Sequence, residues 1–173
     1  MKNNFIIFFI ILTCNFCFAQ KNQRSNTSKN QCNSFNLRVY VTDLDREGTN
    51  IREKAKGKVL LKLKGDTDYY MLSVIKAKKG WFKVKKIWGV DWGFIELSDE
   101  VGWIHYSVIG AATRRKVNVL SIPKTGEVLG KIDQETSVKI KDMCSGWVKI
   151  ESGNIAGWIS SEWLCGNPVT TCP

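Results

Sequence analysis

Only one histidine, His105, occurs in this chain of 173 residues. Any reaction needing an imidazole base has that single candidate, and a cysteine or serine nucleophile would have to be brought to it. Long apolar runs are also missing. The longest, Phe5 to Leu12, is too short for a bilayer, which takes roughly 20 residues. The single Cys-x-x-Cys pair, Cys14 and Cys17, lies beside that run, and Cys32, Cys144, Cys165 and Cys172 show no paired zinc spacing. No metal or other cofactor is therefore expected. After the first 20 or so residues no stretch carries a convincing helical period, which argues against a helical layer.

What is present begins with an export leader. Lys2 precedes the apolar run, and Cys17-Phe18-Ala19 places small residues at −3 and −1, so cleavage is expected before Gln20. An uncleaved anchor is the alternative. Lipidation would need a small residue before the modified cysteine, and Thr13 and Phe16 suit poorly. Residues 1–19 are thus read as a signal peptide. Gln20 to Ser34, polar and without apolar period, reads as a disordered linker. Export places the protein in the periplasm or outside the cell. There the four remaining cysteines, Cys32, Cys144, Cys165 and Cys172, read as two disulfides with three possible pairings.

The charge is +10, from 26 basic and 16 acidic residues, and loss of Lys2 leaves about +9. A basic surface outside the cytoplasm suits anionic envelope polymers or acidic proteins, and export argues against nucleic acid. The plainer reading is solvated strand faces: Lys83, Lys85, Lys139 and Lys149 alternate with apolar neighbours.

The most informative feature is a repeat. The cleaner, second copy runs Val117-Asn118-Val119-Leu120, the turn Pro123-Lys124-Thr125-Gly126, and Val128-Leu129-Gly130. It continues through Ser137-Val138-Lys139-Ile140, Gly146-Trp147-Val148-Lys149-Ile150 and Gly157-Trp158-Ile159-Ser160, and closes on Trp163-Leu164. The first copy keeps the order with Asn50-Ile51-Arg52, Lys56 to Leu60, Gly80-Trp81-Phe82-Lys83-Val84 and Gly102-Trp103-Ile104-His105. Asn50 to Gly80 is 30 steps and Asn118 to Gly146 is 28. Each copy reads as four to six short strands, which must close on themselves to hide their edges. The favoured disulfide is Cys144 with Cys165, both inside the last copy, leaving Cys32 and Cys172 to tie the two ends.

The ordered pieces of the second copy resemble the bacterial SH3 domain family: Asn118-Val119-Leu120, Gly146-Trp147-Val148-Lys149-Ile150, Gly157-Trp158-Ile159 and Trp163-Leu164. Leu120 stands where that family usually has Arg, and Ile122-Pro123 replaces the usual Gly-Pro. The first copy is similar more loosely and keeps Arg52. The expected fold is all-β, two tandem small SH3-like β-barrels, over residues 35–112 and 113–167, with 168–173 as a tail. The resemblance implies shallow-groove recognition of cell-wall peptide or glycan, or of an envelope protein. Two weak modules gain avidity if both reach one polymer.

The copies differ by an insertion. Trp81 to Trp103 is 22 steps and Trp147 to Trp158 is 11. The extra residues carry Trp88, Trp92 and Phe94 and read as a lengthened hairpin. Flat aromatic faces there would form a ligand platform or pack against the second barrel. Trp81, Trp103, Trp147 and Trp158 recur at matched positions and are expected in the core or closing the barrels. Trp163 would line the groove of the last barrel or pack at a strand end, and Tyr40 joins Trp88, Trp92, Phe94 and Trp163 as a ligand-binding candidate. Asp43 to Asn50 has part of a calcium-loop spacing, but the twelfth position is Lys54, so a polar turn is the better reading. Envelope cysteine peptidases often carry bacterial SH3 domains, but the repeat uses up the chain, so binding without catalysis is expected. A structural or regulatory scaffold docking to an envelope enzyme or receptor is the competing reading.

Overall fold

Strands form here where apolar side chains recur at every second residue. The computed structural model describes residues 32–43, 45–64, 69–89, 93–95 and 102–167. In Trp147–Ser152, Val148 and Ile150 are buried while Lys149 faces solvent, and in Trp81–Gly89 the buried residues include Phe82 and Val84. Two turns built alike join long hairpins. Lys79-Gly80 has φ of 49° and 80°, and Ser145-Gly146 has 48° and 84°. Positive φ at both residues matches the right-handed twist of the flanking strands.

The strands are β1 (Leu37–Val41), β2 (Thr49–Arg52), β3 (Val59–Leu63), β4 (Tyr70–Lys78), β5 (Trp81–Gly89), β6 (Gly93–Ile95) and β7 (Gly102–His105). They continue as β8 (Ile109–Thr113), β9 (Val117–Leu120), β10 (Val128–Ile132), β11 (Ser137–Cys144), β12 (Trp147–Ser152), β13 (Ile155–Ser160) and β14 (Leu164–Cys165). Single 3-10 turns at Tyr106–Val108 and Ser161–Trp163 are the helical pieces among the described residues. The hydrogen-bonded path is β10-β9-β13-β12-β11-β8-β1-β4-β5-β7-β2-β3, with β14 on β8 and β6 on β5. Outward from the seam between β8 and β1, both directions meet the same succession: a long hairpin, the strand after it, then a short hairpin.

The all-β class expected from the sequence is what the chain adopts. The halves, however, are joined by a shared strand. β8 pairs with β1 through Tyr40↔Gly110 and Val41↔Ile109, and with β11 through Ser137↔Ala112 to Lys139↔Gly110. It also takes β14, through Leu164↔Thr113 and Cys165↔Ala112. The division expected between residues 112 and 113 therefore falls inside a strand that serves both sides. One core cluster runs through the seam. Val39, Ile51, Leu72 and Phe82 lie in it with Ile109 and Ala111 of β8 and with Val119, Ile140, Val148 and Ile159. Each such side chain, fully buried, contributes about 1.5–3 kcal/mol when large and aliphatic or aromatic.

Three further contacts bind the halves. The Tyr40 hydroxyl lies 2.6 Å from Ser137 Oγ, with Gly110 leaving room for the ring. Lys141 Nζ sits 4.0 Å from the Tyr106 ring centroid and 3.0 Å from Glu151. Cys32 is bonded to Cys144, across 112 residues of sequence. This corrects the favoured Cys144–Cys165 pairing. Cys165 is disulfide-bonded too, but not to Cys144. The reason is that Cys144 ends β11 next to the incoming arm: Asn33 N–H donates to Ser145 Oγ at 3.0 Å, and Ser145 N–H to Asn33 O at 3.3 Å. The last residues of the expected linker are thereby pinned. Residues 1–31, including the expected signal peptide and most of that linker, lie outside the described residues, as does Cys172.

Of the two places expected for the recurrent tryptophans, the core is the one the structure corrects. Trp81, Trp103, Trp147 and Trp158 are all partly exposed, and none belongs to the buried core. In each Gly-Trp strand the residue after Trp turns inward (Phe82, Ile104, Val148, Ile159), and alternation then sends Trp outward.

Candidate functional site

The outward tryptophans of the second half build a cleft. β9 sends Val117 and Val119 into the core, so Asn118 and Leu120 face the other way. Lys131 of β10 is directly opposite Asn118. Trp147 opens β12 opposite Ser160, the last residue of β13. The chain then makes its 3-10 turn, which delivers Trp163 to the same place. That turn is fastened at both ends: Ser161 N–H donates to Gly146 O at 2.9 Å, and Arg114 N–H to Trp163 O at 2.8 Å. Arg114 Nε also donates to Leu164 O at 3.1 Å. A glycine lets β13 lie close on β9: a Cβ at Gly157 would stand 2.6 Å from the Leu120 carbonyl oxygen.

The resulting cleft has a volume of about 480 Å³ and is walled by Trp147, Trp163, Leu120 and the cations Arg115, Lys116 and Lys131. The Arg115 guanidinium lies over the Trp163 ring, 4.3 Å from its centroid. Lys116 Nζ is 2.8 Å from Asp133. This arrangement can stack a flat or apolar group and hold a negative charge beside it.

A slightly larger cleft, about 520 Å³, opens at the seam among Arg38, Met71, Arg114, Glu162 and Leu164. Its arginines are already engaged, Arg38 over the Trp88 ring at 5.9 Å and Arg114 on the Leu164 carbonyl, and Glu162 adds an acid to the lining. The cleft in the second half is therefore the better candidate.

Of the residues singled out from the sequence, Trp163 lies in that cleft. Tyr40 does not; it spans the seam to Ser137. Trp88 is partly buried beside Arg38, on the far half of the sheet. The lengthened hairpin is present, with Trp88↔Phe94 in register between β5 and β6. Trp92 and the Phe94 side chain lie outside the described residues. Sequence reasoning missed Trp147, Arg115 and Lys131. The available signal was the run Arg114-Arg115-Lys116 immediately before the Asn118-Val119 start.

His105 has a local role. Its Nδ1 is 2.8 Å from Ser107 Oγ and accepts from Ser107 N–H at 3.4 Å, capping the first 3-10 turn. Its ring meets Trp81 edge-on at 5.1 Å and Tyr106 at 4.4 Å. Burial, then Lys141 and Lys56, hold its pKa below the ordinary 6.5. The described cysteines are all in disulfides, so none of them is a thiol for this imidazole. In the Asp43 loop the carboxylates cap the turn: Asp43 accepts from Asp45 N–H and Thr49 Oγ1, and Asp45 from Glu47 N–H.

Residues 115–164 match the bacterial SH3 domain family, a span that begins at Arg115 and ends one residue past Trp163. Over 113 residues, 65% of this chain, the sequence is 29% identical to the Bacillus subtilis (strain 168) protein named "Putative N-acetylmuramoyl-L-alanine amidase YrvJ". The chain spans only 21% of that relative's length. Among solved structures, NlpC1 from Trichomonas vaginalis is similar at 20% identity and a TM-score of 0.31, covering 75% of this chain and 45% of that one. NlpC2 from the same organism gives 16% and 0.31, covering 75% and 48%. A TM-score of 0.31 is too low for either likeness to support a reading of function.

Proposed function

We propose that this chain is an exported, non-catalytic binding protein of the cell envelope, and that its second half grips cell-wall peptide or glycan. The observation that carries the proposal is the cleft of Trp147, Trp163 and Arg115, which lies inside the span matched by the bacterial SH3 domain family. The name of the relative, an amidase of N-acetylmuramoyl-L-alanine, supports wall material as the ligand class. A disulfide suits an oxidising compartment, consistent with residues 1–19 acting as a signal peptide. The first half is read as a second, diverged copy, supported by the mirrored strand succession.

The test is co-sedimentation with purified peptidoglycan. Trp147→Ala and Trp163→Ala each lower retention about tenfold, in line with losing one stacked aromatic. Full retention by the double variant refutes the cleft as the binding site.

A second reading, docking to an envelope protein, is favoured by one feature. The strands at the two ends of the sheet path carry adjacent exposed apolar pairs: Val59 and Leu60 at 44% and 50%, Val128 and Leu129 at 53% and 52%. Under this reading the chain is not retained by purified wall, and Leu60→Lys with Leu129→Lys abolishes capture of an envelope protein by cross-linking.

A further inference from the structure

We infer, resting on the reading that this cleft binds wall material, that its occupant is a peptide bearing a free carboxylate beside small apolar groups. Three cations line the cleft and no acidic side chain does. Lys116 is paired with Asp133, but Lys131 makes no ion pair among the described residues. Among the described residues Arg115 is not spent on an acid either. Its guanidinium carbon lies over the Trp163 ring, 4.3 Å from the centroid, a contact that leaves its charge unmatched by an acid. A carboxylate meets a guanidinium with two parallel hydrogen bonds.

The first half supplies the internal comparison. By strand order, Glu47 takes the place of Arg115, Lys62 that of Lys131, Trp81 that of Trp147 and Val108 that of Trp163. There Lys62 Nζ lies 3.1 Å from Glu47 Oε2, so the corresponding lysine is already matched by an acid of the same half. The second half leaves Arg115 and Lys131 without an ion pair among the described residues, whereas the first half pairs the equivalent lysine with an acid and lacks the second aromatic wall.

The walls choose among anions. Leu120, Trp147 and Trp163 present apolar surface right beside the guanidinium. A peptide with small apolar side chains covers that surface, whereas a polyol phosphate backbone, with oxygen on every carbon, offers it little apolar area.

The experiment uses the full chain and soluble stem peptides released from peptidoglycan, in two forms: carboxylates free, and carboxylates converted to amides. Binding is followed by calorimetry. Amidation is expected to weaken binding about tenfold or more, the loss of one charge-assisted contact. Arg115→Gln brings the free form down to the affinity of the amide and leaves the amide unchanged. Lys62→Gln changes neither. Equal affinity for the two forms overturns the carboxylate inference and leaves wall binding standing. Tighter binding of a polyol phosphate polymer than of the stem peptide overturns it in favour of phosphate. A loss with Lys62→Gln equal to that with Arg115→Gln overturns the assignment to the second half. Absence of binding to both stem peptides and intact peptidoglycan refutes the underlying reading itself.

Discussion

Replacing Cys32 and Cys144 together with serine changes the unfolded chain more than the folded one. The bridge spans 112 residues of sequence. Chain-entropy arithmetic for a loop of that size gives about 4.8 kcal/mol at 25 °C, and natural bridges usually deliver about 2–4. The folded arm keeps other anchors when the bridge is gone. Asn33 and Ser145 exchange two hydrogen bonds, Asn36 Oδ1 accepts from Ser73 Oγ, and Phe35 packs against the core. The native structure is therefore expected to persist while stability falls by about 2–4 kcal/mol. Urea denaturation under non-reducing conditions reads this directly, since the double variant leaves the bond at Cys165 in place. The m-value rises slightly because the released chain expands further. A loss under about 1 kcal/mol, with m unchanged, would refute the view that this bond stabilises by tying distant parts of the unfolded chain.

Two glycines separate crowding from backbone strain. Gly157→Ala forces a methyl against the Leu120 carbonyl and is expected to cost about 1–3 kcal/mol, measured by urea denaturation. Gly146→Ala meets nothing within 4 Å and bears only the strain of φ +84°, about 1–2 kcal/mol; a larger loss at Gly146 than at Gly157 contradicts the packing described. Tyr40→Phe removes the seam hydrogen bond to Ser137 and lowers stability by about 0.5–1.5 kcal/mol, and no change in midpoint means the contact is not formed in solution. His105 is expected to titrate below 6.5 when followed by NMR, and Lys141→Met is expected to move it part of the way back, since burial is the larger cause; no movement refutes the Lys141 contribution. Because the folded pKa is the lower one, the unfolded chain takes up the proton first. Stability is then full above pH 6.5 and declines as pH falls from there through the lowered value, a decline that His105→Gln removes.

Sequence alone was enough for the β class, because Val138/Ile140 and Val148/Ile150 alternate with lysines and the Gly-containing turns recur at matched spacing. It was enough to find the second-half pattern that matches the bacterial SH3 domain family, since that pattern is local and ordered, and to single out Trp163. The facing of the Gly-Trp strands was not legible. Trp147 and Val148 are both apolar neighbours, and a period of two says they point oppositely without saying which is inside. Only packing decided that the smaller side chains fill the narrow core and the tryptophans line the outside. Pairing across the seam was equally out of reach. β8 offers two hydrogen-bonding edges, and nothing within Ile109–Thr113 states which strands take them. Long-range contacts settled that, and with it the shared sheet, the partner of Cys144 and the meeting of Arg115, Trp147 and Trp163 in one cleft.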